Sequence, residues 1–240
     1  MNRNLFRDKL VFSKGIKIFS TLLLFHLVSC KNVESTNTET NAVQQVLNFY
    51  GGECLKSEGV NSENGNNKTF FELEMRKSVL LDSEQTNKKL HSGNIAYLFY
   101  SNLEKEKSNY DEIKVKIVLD GGHIEEYSYQ SKELDEIEKH KVTIDQVNTA
   151  ISEKKYDELI SFFDKTITIN ASDIRKLFEN LEQQSGKMAR IQFQGFEFKQ
   201  TNNFGDVILM NEAVVFGETA LSMNVILKRD NNKLIAIEFN

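Results

Sequence analysis

The chain predicts an α+β protein: a small unit with one helix packed on an antiparallel sheet, then several helices leading into a curved, four-stranded antiparallel sheet. Three observations carry this expectation. Glu112 to Leu119 alternates Ile113, Val115, Ile117 and Leu119 with polar residues, and ends in Asp120-Gly121-Gly122-His123, a hairpin signal. Between residues 143 and 185 the apolar residues recur at three- and four-residue spacing, as helices require. After Gly186 come four strand-like runs, Met188 to Lys199, Val207 to Phe216, Thr219 to Lys228 and Leu234 to Phe239, separated by Asn, Asp and Gly. The chain has no proline, so those residues must make its turns.

Taken in order, residues 1–29 carry Arg3, Arg7, Lys9, Lys14 and Lys17 against Asp8, followed by an apolar run from Ile18 to Val28. That run is shorter than the roughly 20 residues a bilayer span needs, and a basic flank before a short apolar centre is the pattern of a secretory signal peptide. Its end, Leu27-Val28-Ser29-Cys30, resembles the lipobox of bacterial lipoproteins. The resemblance implies lipidation of Cys30, cleavage just before it, and a membrane association made through the lipid anchor. Each buried methylene contributes about 0.8 kcal/mol, so two or three acyl chains hold a protein durably. Lys31 after the cysteine favours the outer membrane over the inner, with the periplasmic and surface faces both open.

Residues 30–41 are polar and aperiodic, the composition of a tether. A first α+β domain is expected over 42–130, with a helix at Ala42 to Tyr50, a loop at Val60 to Lys68, a strand at Thr69 to Lys77, and a helix at Leu90 to Leu103. The hairpin of Glu112 to Tyr129 completes it. Ser131 to His140 is almost wholly charged, so residues 131–141 read as a linker or a short surface helix, and the second domain spans 142–240. In that domain helix faces follow Ile144, Val147 and Ile151, then Tyr156, Leu159, Ile160 and Phe163, then Ile174, Leu177, Phe178 and Leu181, the last capped by Ser172 and Gly186. Along the first strand the inward phase runs Ile191, Phe193, then slips at Gly195 to Phe196 and Phe198, as a β-bulge makes it do.

Three stretches in the second half are similar to those of the DUF3887-type NTF2-like domains of bacterial secreted and lipid-anchored proteins. They are Ala150 to Leu159, Leu177 to Gly186, and Leu227 to Phe239. The resemblance covers roughly Val142 to Asn240. It implies a cystatin-like curved-sheet cone enclosing an apolar pocket, and it implies no reaction, because the superfamily holds enzymes and binders alike.

Composition narrows the function. The chain has a net charge of −5, and the leader, at +4, leaves −9 for the rest, which disfavours nucleic acid as a partner. Of the two cysteines, Cys30 is taken by the lipobox, so Cys54 is left a structural thiol. His91 at a helix start, His123 in a turn and His140 in the charged stretch are not spaced as metal ligands, and no nucleotide loop is present, so neither metal nor cofactor is expected. Among the strands only Asn211, Glu212 and Asn224 put polar groups near the cone, Glu212 as a candidate general base. Phe163, Phe178, Phe193 and Phe216 are candidates to line a ligand pocket, although aromatics at such spacing more often form core. Tyr97, Tyr100, Tyr127 and Tyr129 likewise read as an interface or a core rim. The favoured expectation is a non-catalytic lipoprotein binding an envelope protein or a small apolar ligand. The alternatives are a hydrolase or isomerase with its site in the cone, and an immunity or inhibitor protein.

Overall fold

The computed structural model describes residues 35–63 and 65–240, so the leader and Cys30 lie outside the described residues. The described chain is a mixed α+β structure with two four-stranded sheets. Its first helix, α1 (Asn37–Tyr50), starts inside the expected tether. The reason is a capping box: the Thr36 hydroxyl accepts from Glu39 N, and Glu39 accepts from Thr36 N. Glu39, Ala42, Val43 and Val46 are then buried along one face.

The first sheet is built from β1 (Glu53–Glu63), β2 (Asn66–Arg76), β3 (Glu112–Val118) and β4 (Ile124–Gln130), in that spatial order. Residues 60–68, expected as a loop, are mostly the arms of the β1–β2 hairpin. The sheet is mixed rather than antiparallel, because β2 and β3 run parallel. The short α2 (Val79–Asp82) and the longer α3 (Lys88–Ser101) lie between them, and a crossover through a helix returns the chain in the same direction. Phe71, Leu73 and Met75 of β2 and Ile113, Val115 and Ile117 of β3 are at most 1% exposed, and α1 and α3 pack over the sheet. Glu72 and Glu74 sit opposite Lys114 and Lys116 on the other face, where Lys116 and Glu74 pair at 3.0 Å.

The charged stretch 131–141, expected as a linker, is the first half of one 22-residue helix, α4 (Ser131–Ser152). Its charges lie outward, while Leu134, Ile137, His140, Ile144, Val147 and Ile151 form a single buried stripe. His140 is therefore a core residue and not a linker residue; its Nδ1 lies 2.7 Å from Asn232 Oδ1. Arg229 donates to both carboxylate oxygens of Glu136 at 2.6 and 2.7 Å, tying α4 to the turn after β7. One hydrophobic core runs from α1 to β8, and residues 34–240 form one compact unit rather than two domains divided at this stretch.

After α5 (Tyr156–Ser161), α6 (Ala171–Ser185) is capped two residues before the expected Ser172, because Asn170 Oδ1 accepts from Asp173 N at 2.9 Å. Gly186 ends it at a positive φ of 93°. The second sheet is the expected antiparallel meander, β5 (Met188–Thr201), β6 (Gly205–Phe216), β7 (Thr219–Lys228) and β8 (Leu234–Phe239). The register of β5 on β6 shifts between Phe193 and Gly195, so the expected bulge is present. It keeps Phe193 and Phe196 on the helix-covered face. Gly195 has φ +149°, and a Cβ there would lie 2.0 Å from the Leu90 carbonyl oxygen. Only glycine lets β5 come this close to α3.

Candidate functional site

The four phenylalanines do not come together around a cavity. Phe163, Phe178 and Phe216 are 6%, 2% and 0% exposed within the core. Phe178 packs edge-on to Phe239 and face-on to Tyr156, and Phe163 bridges to Leu234. Phe193 is half-buried, with Tyr97 edge-on at 5.5 Å and the Lys141 ammonium 5.4 Å from its ring centre. In this structure the helix-covered face of the meander is filled with side chains.

Register places the three polar strand residues on opposite faces. Glu212 alternates with Met210 and Val214 and turns toward the helices, where it is fully buried. Its Oε1 accepts from Asn148 Nδ2 at 3.1 Å, while its Oε2 and Asn148 Oδ1 have no partner among the described residues. Burial pushes the carboxyl up to about 7, against the smaller opposing effects of Asn148 and Lys141. No histidine or tyrosine hydrogen-bonds to it among the described residues, so it has no second acid-base group to work with.

Asn211 and Asn224 face the other way, onto the side of the meander against which no helix packs face-on among the described residues. They are opposite one another on β6 and β7, each 8% exposed. Asn211 Nδ2 donates to Asn224 Oδ1 at 2.7 Å and to Ser222 Oγ at 2.8 Å. These three residues form the floor of a 590 Å³ cleft. The lining also includes the segment from Ser83 to His91, which leads into α3 and contributes Thr86, Asn87 and His91, beside Gln194, Glu197 and Lys199 of β5, with Glu212 and Asn240. The chemistry of this cleft is mainly that of amides and hydroxyls. Its charged wall is self-neutralising, since Glu197 pairs with Lys89 at 2.7 Å and with Lys199 at 3.1 Å. His91 contacts the Tyr50 hydroxyl through Nδ1 at 3.1 Å, and burial lowers it to about 4, so it is neutral at physiological pH.

The cleft continues past Leu209 and Lys199 into a second hollow of 470 Å³, floored by Val207, Leu209, Ile226 and Ala236. The sequence pointed to the two asparagines but not to their face, and His91, Gln194 and Ser222 entered only through the tertiary arrangement. Among the described residues no group of three or more acidic, histidine or cysteine side chains is arranged to hold a metal. Cys54, in β1, is pushed up to about 12 by burial and is a thiol at neutral pH. His123 is exposed in the β3–β4 turn, its ring 3.8 Å from Glu125.

No family model matches the chain, and no curated protein matches it. Among solved structures, that of Bdellovibrio bacteriovorus Bd1075 aligns over 78% of this chain and 76% of its own, at 11% identity and a TM-score of 0.33, an overlap too loose to carry an argument.

Proposed function

We propose that the chain is an acylated protein of the bacterial envelope that binds a ligand without transforming it, in the cleft on the face of its second sheet that carries Asn211 and Asn224. The observation that carries the binding half is the pair Asn211 and Asn224, polar side chains held almost out of solvent at the floor of that cleft. Buried amides cost stability unless they are satisfied. Among the described residues the cleft joins no nucleophile to a base by a hydrogen bond, and Glu197 and Lys199 on its wall are paired, which supports binding over catalysis. The antiparallel order β5-β6-β7-β8, the bulge at Gly195 and the helices packed on one face support the NTF2-like reading of the second half.

Anchoring rests on Leu27-Val28-Ser29-Cys30. The folded body begins at the Thr36 cap, so six residues from an acylated Cys30 hold it within roughly 20 Å of the lipid surface. Replacing Cys30 by Ser is expected to leave an uncleaved, unlipidated precursor, read by mass spectrometry of the membrane fraction. Normal processing of that variant would remove the anchor from this proposal.

One observation favours a second reading: Glu212 is buried and raised to about 7, as a general acid's carboxyl is. If the protein is a hydrolase or isomerase working through that carboxyl, Glu212→Gln abolishes turnover of its substrate while the fold remains.

A further inference from the structure

Resting on the binding reading above, the valence of the cleft floor narrows the ligand. Asn211 spends both amide hydrogens on Asn224 and Ser222. Its carbonyl oxygen, and the amide nitrogen of Asn224, make no hydrogen bond among the described residues and are open to the cleft. A side-chain amide carries two N–H donors and one acceptor oxygen, so the pair presents one acceptor, the Asn211 oxygen, beside the two unused donors of Asn224. Exchanging oxygen and nitrogen in both side chains leaves the same result, with the roles swapped between residues. A carboxylate or phosphate would meet the Asn224 donors but set an acceptor against the Asn211 oxygen, and an ammonium would leave both Asn224 donors unmet. An amide answers the acceptor with its N–H and the donors with its C=O.

We propose that the cleft binds an extended, uncharged peptide, one backbone amide seated on Asn211 and Asn224 and a neighbouring apolar side chain placed in the adjoining hollow. That hollow shares Leu209 and Lys199 with the cleft and is floored by Val207, Ile226 and Ala236, so amide recognition and an apolar side-chain site lie side by side. Successive peptide side chains are about 3.3 Å apart along an extended chain, which makes both sites reachable by one short segment. An acetylated sugar also carries an amide, and pyranose rings bind against aromatic faces; the lining of the cleft includes no Phe, Tyr or Trp and the hollow adds only Phe204, so the sugar is carried as an arm of the test.

The test titrates the full-length protein with capped, uncharged tetrapeptides, acetylated and amidated at their ends, with and without one leucine, and with N-acetylglucosamine oligomers. The readout is the side-chain amide resonances of Asn211 and Asn224. The leucine peptides are expected to shift both saturably. Asn224→Leu is expected to weaken them about tenfold or more, as when a buried partner is lost. Because that variant touches a buried pair, Ala220→Trp, at an exposed position of the floor, is the second: it fills the cleft and is expected to abolish binding with an unchanged unfolding temperature. Unshifted resonances with every peptide, or undiminished binding by the filled variant, overturn the proposal. Shifts from the sugars alone overturn the peptide while leaving a binding protein. Cleavage of the peptides, seen by mass spectrometry, overturns the non-catalytic reading while leaving the site.

Discussion

Glu212 and Asn148 make an incomplete pair. With the carboxylate ionised, the amide nitrogen reaches one carboxyl oxygen and the two remaining oxygens are orphaned acceptors. One proton on Oε2 gives the otherwise orphaned carboxyl oxygen something to donate. The folded-state value, about 7, is raised above the ordinary carboxyl value of about 4.3. The native state therefore binds more protons than the unfolded chain between these limits, and stability falls as pH rises through that window. A shift of this size corresponds to roughly 3 kcal/mol between pH 4 and pH 8. Lys141 and Asp145 are the charged groups acting on it from α4. Glu212→Gln, which offers Asn148 both an acceptor and a donor at every pH, is expected to flatten the urea midpoint against pH and raise it at pH 8. An unchanged slope would show that this carboxyl does not titrate there.

At the scale of elements, the joint between α3 and β5 is the most exacting. Gly93 of α3 and Gly195 of β5 let the helix and strand backbones meet. Gly195→Ala combines a strained φ with a backbone clash, and is expected to cost on the order of 3 kcal/mol in chemical denaturation. The bulge there was legible in the apolar phase of β5, and the meander's boundaries were legible because alternation and Asn/Gly turns agree. Helix α4 was half legible. Its first eleven residues hold only Leu134 and Ile137 as strongly apolar anchors, and two such residues do not distinguish an amphipathic helix from a solvated connection. Ile137 is fully buried, so Ile137→Ala is expected to cost about 2–4 kcal/mol, whereas in a linker it would cost nothing measurable.

Across the whole molecule, the shared core changes what a fragment can do. Residues 142–240 alone would cut α4 in the middle and uncover Phe193 and Phe196, which pack against Tyr97 and Tyr129 of the first half. That fragment is expected to be aggregation-prone and to lack a cooperative transition by circular dichroism, while residues 34–240 unfold in one step. A well-behaved fragment would restore the division at 131–141.

By itself the sequence determined many local elements: the alternating strands β2, β3 and β5 to β8, the glycine bulge, the β3–β4 hairpin and the helix stripes outside the first half of α4 follow from side-chain period and turn chemistry within a few residues. The tertiary structure alone decided that β2 and β3 run parallel, that α4 joins the two halves into one core, and that Glu212 faces inward while Asn211 and Asn224 face the cleft. The reason is range: period sorts a strand's residues into two sets but cannot say which set faces helices. That choice is made by the elements packed against the sheet, and α3, which covers the inward face beside Phe193 and Phe196, comes from about a hundred residues earlier in the chain.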